Sequence, residues 1–367
     1  MKVAQILYSG LGGHGSVAFT LAEAAGQRWA HSFAFLGVEP LLDSYRQRCD
    51  EAGIAHTYFR AMAGRPWGQW RALHRWLERE RPDAIINHSG PAIVPCALHS
   101  ARRGARFVQV EHTAVALKSR SEIIASRMAM ALADAVVMLT PDYARLSRER
   151  LGRYLPWRKV HIIPNGIDTR RFRPRTGRRP AGPRIGMAGR FTPGKRQELL
   201  VRAVAALNAG RGEPTWTLSL AGDGSERAAV AALAERLAPG TVEFAGVLDE
   251  EQLGRWFQTL DVYAHASNGE TLSTAVLQAM ASGVPIVASD VDGIRDLLAD
   301  ASGMLVANDD HEGWRAAIAR LGEDDGQARR LAERARQLAE ARYSAEDMFR
   351  RYDALLRGDG RGRTSER

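Results

Sequence analysis

Short apolar runs and longer amphipathic stretches alternate along most of the chain. KVAQILYS (residues 2–9), HSFAFLGV (31–38), AIINHS (84–89), FVQVEHT (107–113) and AVVMLT (135–140) show little polar rhythm, which predicts strands covered on both faces. Between them, GSVAFTLAEAAGQR, PWGQWRALHRWLERER and Ser121–Ala133 read as helices, the second with Trp67, Trp70, Leu73 and Leu77 at helical spacing. The segment HIIPNGIDTRRFRPRTGRRPAGP then breaks the rhythm with proline, glycine and arginine. It reads as a connection between domains, with the linker bounded at residues 166–184. The alternation restarts with strands RIGMAGR, WTLSLAGDG, VEFAGV, DVYAHAS and PIVASD, separated by helical KRQELLVRAVAALNAG, SERAAVAALAERLA, EEQLGRWFQTL and TLSTAVLQAMASG. Strand–helix alternation of this kind predicts an α/β protein with two doubly wound parallel sheets, one over 1–165 and one over 185–344.

Composition agrees with two domains and removes several classes. The 367 residues are 45% hydrophobic and 25% charged, as in globular enzymes. Cys49 and Cys96 make neither a disulfide framework nor a metal spacing, which points to a reducing, cytoplasmic setting. The apolar run Val3–Tyr8 is too short for a signal peptide, and no stretch has the ~20 apolar residues of a membrane span. Charge changes the picture more. Residues 1–165 carry 22 Lys and Arg against 13 Asp and Glu, the whole of the +9 surplus. Such asymmetry suits an anionic membrane surface or an acidic substrate. Nucleic acid is disfavoured, because the basic residues form no recognised binding module.

Gly10, Gly12 and Gly15 satisfy the dinucleotide spacing Gly-x-Gly-x-x-Gly, and Glu39 follows at roughly the distance of a ribose-binding carboxylate. Tight strand-to-helix turns use glycine for steric reasons alone, so this pattern makes an NAD-dependent oxidoreductase only a rival reading. The stronger constellation lies in the second half. GRFTPGKR sets Arg190 and Lys195 five residues apart on a strand-to-helix loop, at the carboxyl end of a parallel strand where ligands bind. In SNGETLSTAVLQAMASG, Glu270 precedes a helix whose first turn is expected to hold Thr271, Ser273 and Thr274, and a helix start suits phosphate. Gln278 lies further along that helix, and Asp223 in AGDG reads as a turn residue.

GGHG, PNGID, GRFTPGKR, AGDG, VEFAGV and GETLSTAVLQAMASGVPIVASD occur in the order seen in retaining glycosyltransferases of family 4, which this chain resembles over nearly its whole length. The resemblance implies a GT-B fold, two Rossmann-like domains facing across a cleft, with a nucleotide-sugar as substrate and no cofactor. It implies that Arg190 and Lys195 grip the donor diphosphate and that Glu270, the first position of a Glu-x7-Glu motif, contacts the transferred sugar. Gln278 stands where the family usually has the ribose-binding glutamate, and Thr271-Leu272-Ser273-Thr274 where it often has Gly-Phe-Gly-Leu. Gly12 and Gly13 match the glycine pair that approaches donor or acceptor. His112 matches the histidine lining the sugar site, and Val247 the backbone contact to the base.

The implied reaction is metal-independent hexosyl or hexosaminyl transfer with retention, from a UDP-sugar to a saccharide or lipid-linked acceptor in envelope polysaccharide or lipopolysaccharide synthesis. No Asp-x-Asp is read as a divalent-metal site. A GT-B UDP-sugar epimerase is the alternative. Trp67, Trp70, Arg71, Arg75, Trp76 and Arg79 interleave aromatic and basic groups, as helices at the inner face of a membrane do, although the commoner and favoured reading of such a stripe is a helix packed on its own sheet. A final helix at about 345–357 is expected to cross back to the first domain, followed by a disordered tail over 358–367.

Overall fold

The computed structural model describes residues 1–10, 12–60, 67–177, 182–210 and 215–358. The chain forms two compact units, one of residues 1–166 together with those from Ala345 onward, the other Ile167–Ser344. The expected tail lies almost wholly outside the described residues.

The first unit is built on seven parallel strands: β1 (Lys2–Tyr8), β2 (Ala30–Gly37), β3 (Ala55–Arg60), β4 (Ala84–Asn87), β5 (Arg106–Val110), β6 (Ala135–Met138) and β7 (Val160–Ile162). They lie in the order β3-β2-β1-β4-β5-β6-β7, so strand order reverses between β1 and β4. β1 is mostly apolar, with Gln5 the buried exception, because both its faces are covered. Ala4 and Ile6 pack with Leu73, Trp76 and Ile93 on one side, while Leu7 packs with Phe19, Phe33 and Tyr45 on the other. The helix Ala345–Arg357 belongs to this unit and packs on the helix Gly13–Ala25. There Trp29 Nε1 donates to Asp353 Oδ1 at 2.8 Å, and its ring lies tilted against Phe349 with centroids 5.0 Å apart.

The second unit has six parallel strands: β8 (Arg184–Ala188), β9 (Thr217–Ala221), β10 (Val242–Gly246), β11 (Val262–His265), β12 (Ile286–Ser289) and β13 (Met304–Val306). Their order β10-β9-β8-β11-β12-β13 reverses between β8 and β11. Ile185, Met187, Leu218, Leu220, Val262, Ala264 and Val287 carry its core against helices including Gln197–Asn208 and His311–Glu323.

The expected connection is shorter than the break in the pattern suggests. The residues HI at the start of the supposed connection belong to β7, which pairs Val136 with Val160 and Met138 with Ile162. An edge strand exposed on one side lacks the unbroken apolar run of a central one. Of the Trp/Arg stripe, Trp76 is buried in the core and Trp70 is half-buried with Nε1 on Pro91 O at 2.7 Å. Trp67 alone of the three is well exposed.

Candidate active site

In an open parallel sheet the loops that diverge at the strand-order reversal leave room for a ligand at the carboxyl ends. In the second unit those loops follow β8 and β11. Backbone bonds lace them together: Arg196 N–H donates to Ala266 O at 3.0 Å and Asn268 N–H to Gly194 O at 2.9 Å. Beneath them lies the AGDG turn. Gly222 and Gly224 have φ of +130° and +152°, and a Cβ on either would fall 2.1 Å from Gly189 O or 2.4 Å from Phe191 O. Both positions therefore require glycine, for backbone conformation and for close approach. Asp223 lies between them and accepts from Gly224 N–H at 2.8 Å, a turn role.

This lacing brings Lys195 to Glu270. Lys195 Nζ pairs with Glu270 Oε1, and His265 Nε2 lies 2.8 Å from the same oxygen. Burial alone would raise the Glu270 carboxyl, but the Lys195 ammonium and the His265 N–H outweigh it and hold the group well below the usual carboxylate range. Burial and then Lys195 push His265 down, so its ring is neutral near pH 7. An ionised Glu270 can only accept, which fixes the neutral ring's proton on Nε2. Nδ1 must then accept from the Tyr263 hydroxyl, 2.9 Å away, in preference to that hydroxyl's longer 3.3 Å approach to Ala188 O. The carboxylate is thereby held by a fully buried strand side chain and a cation.

The helix after this loop starts later than expected. It spans Thr274–Ala281, with Ser273 as its cap accepting from Val276 N–H. Thr271 and Leu272 precede it as buried loop residues, while Ser273 Oγ also approaches His265 Nε2 at 3.3 Å. Polar caps favour starting a helix at such a serine rather than earlier. Gln278 is buried within the helix, and Val247 is exposed just beyond Gly246, whose φ is +72°. Arg190 opens the same loop as Lys195, but its side chain is exposed and joins no ion pair among the described residues. Asp290-Val291-Asp292 does carry an Asp-x-Asp spacing that the sequence reading overlooked. Arg295 spans both carboxylates, Nε to Asp290 Oδ1 at 2.7 Å and Nη1 to Asp292 Oδ1 at 2.9 Å.

The first unit has its own polar cluster at the β1/β4 reversal. Gln5 Nε2 donates to Ala18 O at 3.3 Å, which leaves Gln5 Oε1 to accept from His88 Nε2 at 3.1 Å. His88 Nδ1 then accepts from His112 Nε2 at 2.8 Å. Burial, followed by His14 and Lys118, lowers His112 to about 3, so this ring is neutral too, with Nδ1 as its acceptor atom. Next to His112, Glu111 pairs with Lys118, and both bond Ser126 Oγ in a buried group. Gly12 caps the helix Gly13–Ala25 in extended conformation, so Gly12 and Gly13 do stand at a strand-to-helix turn. The third glycine of the dinucleotide spacing has a packing reason: a Cβ on Gly15 would fall 2.1 Å from the Tyr45 hydroxyl, which donates to Gly12 O at 3.0 Å.

Sequence reasoning missed His265, Tyr263, His88 and Gln5. His265 ends β11 and His88 directly follows β4, so a polar residue at a strand's carboxyl end was their one available signal; Gln5 and Tyr263 lie inside β1 and β11, where nothing local marks them.

Comparison with known proteins bears on the family and the fold. Residues 11–171 match the family model described as Glycosyltransferase Family 4, and residues 182–324 that described as Glycosyl transferases group 1. A D-inositol 3-phosphate glycosyltransferase of Stackebrandtia nassauensis is 31% identical over 326 residues, covering 81% of this chain and 71% of the relative. The lipopolysaccharide core biosynthesis glycosyltransferase LpsE of Rhizobium meliloti is 31% identical over 230 residues, 61% of this chain and 64% of that one. The chain spans 61% of the length of the Nocardia farcinica D-inositol 3-phosphate glycosyltransferase, to which it is 29% identical, and 65% of two similar relatives. Among solved structures, Anabaena HepE in complex with UDP and glucose superposes with a TM-score of 0.82 at 19% identity, covering 97% of this chain and 99% of that one. Sucrose-phosphate synthase from Thermosynechococcus elongatus gives 0.80 at 20% identity, over 98% of each chain. Two Rossmann-like sheets, one family model on each, and a relative 31% identical across most of both chains make this protein a member of glycosyltransferase family 4 with the GT-B fold.

Proposed function

We propose that the protein is a retaining glycosyltransferase that moves a hexosyl or hexosaminyl group from a UDP-sugar to a saccharide or lipid-linked acceptor. The observation that carries this reading is Glu270, an ionised carboxylate fixed by Lys195 and His265 at the strand-order reversal, four residues before a helix start. HepE was solved with UDP and glucose, and LpsE is named for lipopolysaccharide core synthesis, which favours this donor and an envelope saccharide as product.

In this reaction the bond from the sugar's anomeric carbon to the β-phosphate oxygen breaks. The acceptor oxygen bonds the same face of that carbon, and its proton passes to the departing phosphate oxygen. The protein's task is positioning and charge stabilisation. Lys195 keeps one donor on Glu270 and has two more for the diphosphate, while Arg190 and the backbone N–H groups around Ser273 and Thr274 add positive potential. Those groups supply the neutralisation a metal would otherwise give, so we assign no cofactor. Glu270, unable to hold a proton near neutral pH, accepts from sugar hydroxyls and is not the acid. Leu272 forms part of the buried wall of this pocket, Gln278 accepts from a ribose hydroxyl, and Val247 offers backbone to the base. The first domain takes the acceptor: Gly12 and Gly13 permit close backbone approach, and the neutral ring of His112 lines the sugar site.

The basic surplus of residues 1–165 and the exposed Trp67 support peripheral attachment at the inner face of an anionic membrane. Among the described residues no helix is long and apolar enough to cross one. A thermal-shift panel of UDP, GDP and ADP with their sugars tests the donor assignment. UDP and a UDP-hexose should raise Tm, since a ligand at 100 times its Kd adds ~2.7 kcal/mol. Stabilisation by none of the panel would end the reading.

A further inference from the structure

The helices Trp67–Glu80 and Ile93–Arg103 pack side by side in the first unit, and their contact carries a polar group that the transfer reaction does not use. His74 and Glu78 lie one turn apart and so share a face of the first helix. His99 of the second helix is fully buried, with Nδ1 3.0 Å from Glu78 Oε1. The other carboxylate oxygen, Oε2, is held by Arg103, whose Nε stands 2.9 Å away. Arg103 thus orients the carboxylate and leaves Oε1 turned toward the histidines.

Two atoms in this group lack partners. His74 Nδ1 and His99 Nε2 are both buried and bonded to nothing. Orphaned polar atoms of this kind are uncommon in folded proteins and call for a reason. The two rings meet edge to face, with centroids 6.4 Å apart. One ring nitrogen from each histidine and a Glu78 oxygen all lie within 4.8 Å of one another, and among the described residues no other group of three His, Cys, Asp or Glu side chains does so.

We propose that His74, Glu78 and His99 bind a divalent transition-metal ion of zinc's preferences as a clip between the two helices. Two imidazoles and a carboxylate are the borderline ligands that zinc takes, with water completing a tetrahedron. Bond lengths of ~2.0–2.1 Å require ligand atoms about 3.3 Å apart, which side-chain shifts of about 1 Å achieve. For Nδ1 of His99, which faces Glu78, to take the metal, the ring proton moves to the unpartnered Nε2, so the imidazole stays neutral and no proton is lost. Arg103 then supports the ligating carboxylate from behind, as outer-shell partners do in metal sites.

The test uses the full chain, freed of any histidine tag, stripped with chelator and titrated with Co²⁺ and then Zn²⁺. The wild type should bind one equivalent of Co²⁺ with a visible ligand-field band that Zn²⁺ abolishes. His74→Gln and Glu78→Gln, whose native residues are only half-buried, should keep a wild-type Tm in chelator and lose at least tenfold in Zn²⁺ affinity, the scale on which even supporting residues act. Arg103→Leu serves as a second route should either variant fail to fold, and should weaken Zn²⁺ binding without abolishing it. No uptake by the wild type, or equal Zn²⁺ affinity in folded His74→Gln and Glu78→Gln, overturns the proposal.

Discussion

His265 and Glu270 are joined by a 2.8 Å hydrogen bond between a fully buried strand histidine and the carboxylate of the following loop. That bond sets the ring's tautomer and the carboxylate's direction together. It makes the loop's geometry a property of β11 rather than of the loop itself.

Lys195 completes the arrangement from the neighbouring loop, so its removal has two consequences. Lys195→Ala should lower turnover by ~10²-fold or more, the scale for losing one electrostatic stabiliser. It should also cost about 3 kcal/mol of stability by leaving a largely buried carboxylate without its cation, held by the neutral His265 alone of these two partners. Donor-turnover assays with thermal melts of the same preparation check both, and near-normal turnover in a folded variant removes Lys195 from the site.

Acid should destabilise the protein well above the range of ordinary carboxylates. Burial lowers His31 to about 4 and His112 to about 3, and depresses His88 and His265 as well. A histidine neutral in the fold but protonated when unfolded contributes stability that is complete above pH ~6.5 and declines as pH falls toward its folded value. Each contributes up to ~1.4 kcal/mol per pH unit to that decline. Glu270 adds its own loss below about pH 4.5, because its carboxyl is depressed in the fold. Both ring nitrogens of His31 are buried without partners, beside Trp29 and Phe33. His31→Phe should therefore flatten the fall in Tm between pH 7 and 5; an unchanged slope assigns the acid limb to other groups.

Gln278 offers a test of the donor's ribose. Gln278→Glu restores a charge that strengthens a hydrogen bond by ~1 kcal/mol, so KM for the preferred donor should fall about fivefold with kcat little changed. A rise in KM would place the ribose elsewhere.

Membrane attachment makes a separable prediction. The protein should sediment with anionic vesicles at low salt and be released as salt rises, and Trp67→Ser should weaken that binding. Equal retention by neutral vesicles, or an unaffected Trp67→Ser, speaks against a membrane face.

Central strands were legible in the sequence because covering both faces leaves a largely apolar run, as in β1 and β11 despite Gln5 and His265. β3 and β7 escaped notice at the sheet's edges, where AHTYFR and VHI mix polar with apolar residues. So did the helix Asp325–Arg342, whose buried face is mostly alanine among charged neighbours. At the site, Lys195 and Glu270 were legible because loop residues with charge stand out between apolar elements. His265 was not, since inside VYAH it reads as strand filling, and only its partners across the loop give it a task. The helix boundary at Ser273 was misplaced by three residues because TLST offers several caps and tertiary bonds choose among them.

The first domain leaves the chain at Gly166 and resumes at Ala345, after roughly 180 residues of the other domain. At ~5–20 residues per second of synthesis, that interval lasts on the order of 10–40 seconds. Throughout it Trp29 and the outer face of the helix Gly13–Ala25 wait without Phe349 and Asp353. A nascent chain therefore carries an uncovered aromatic patch until the second domain has been made, and that window is where chaperones or aggregation would compete for it.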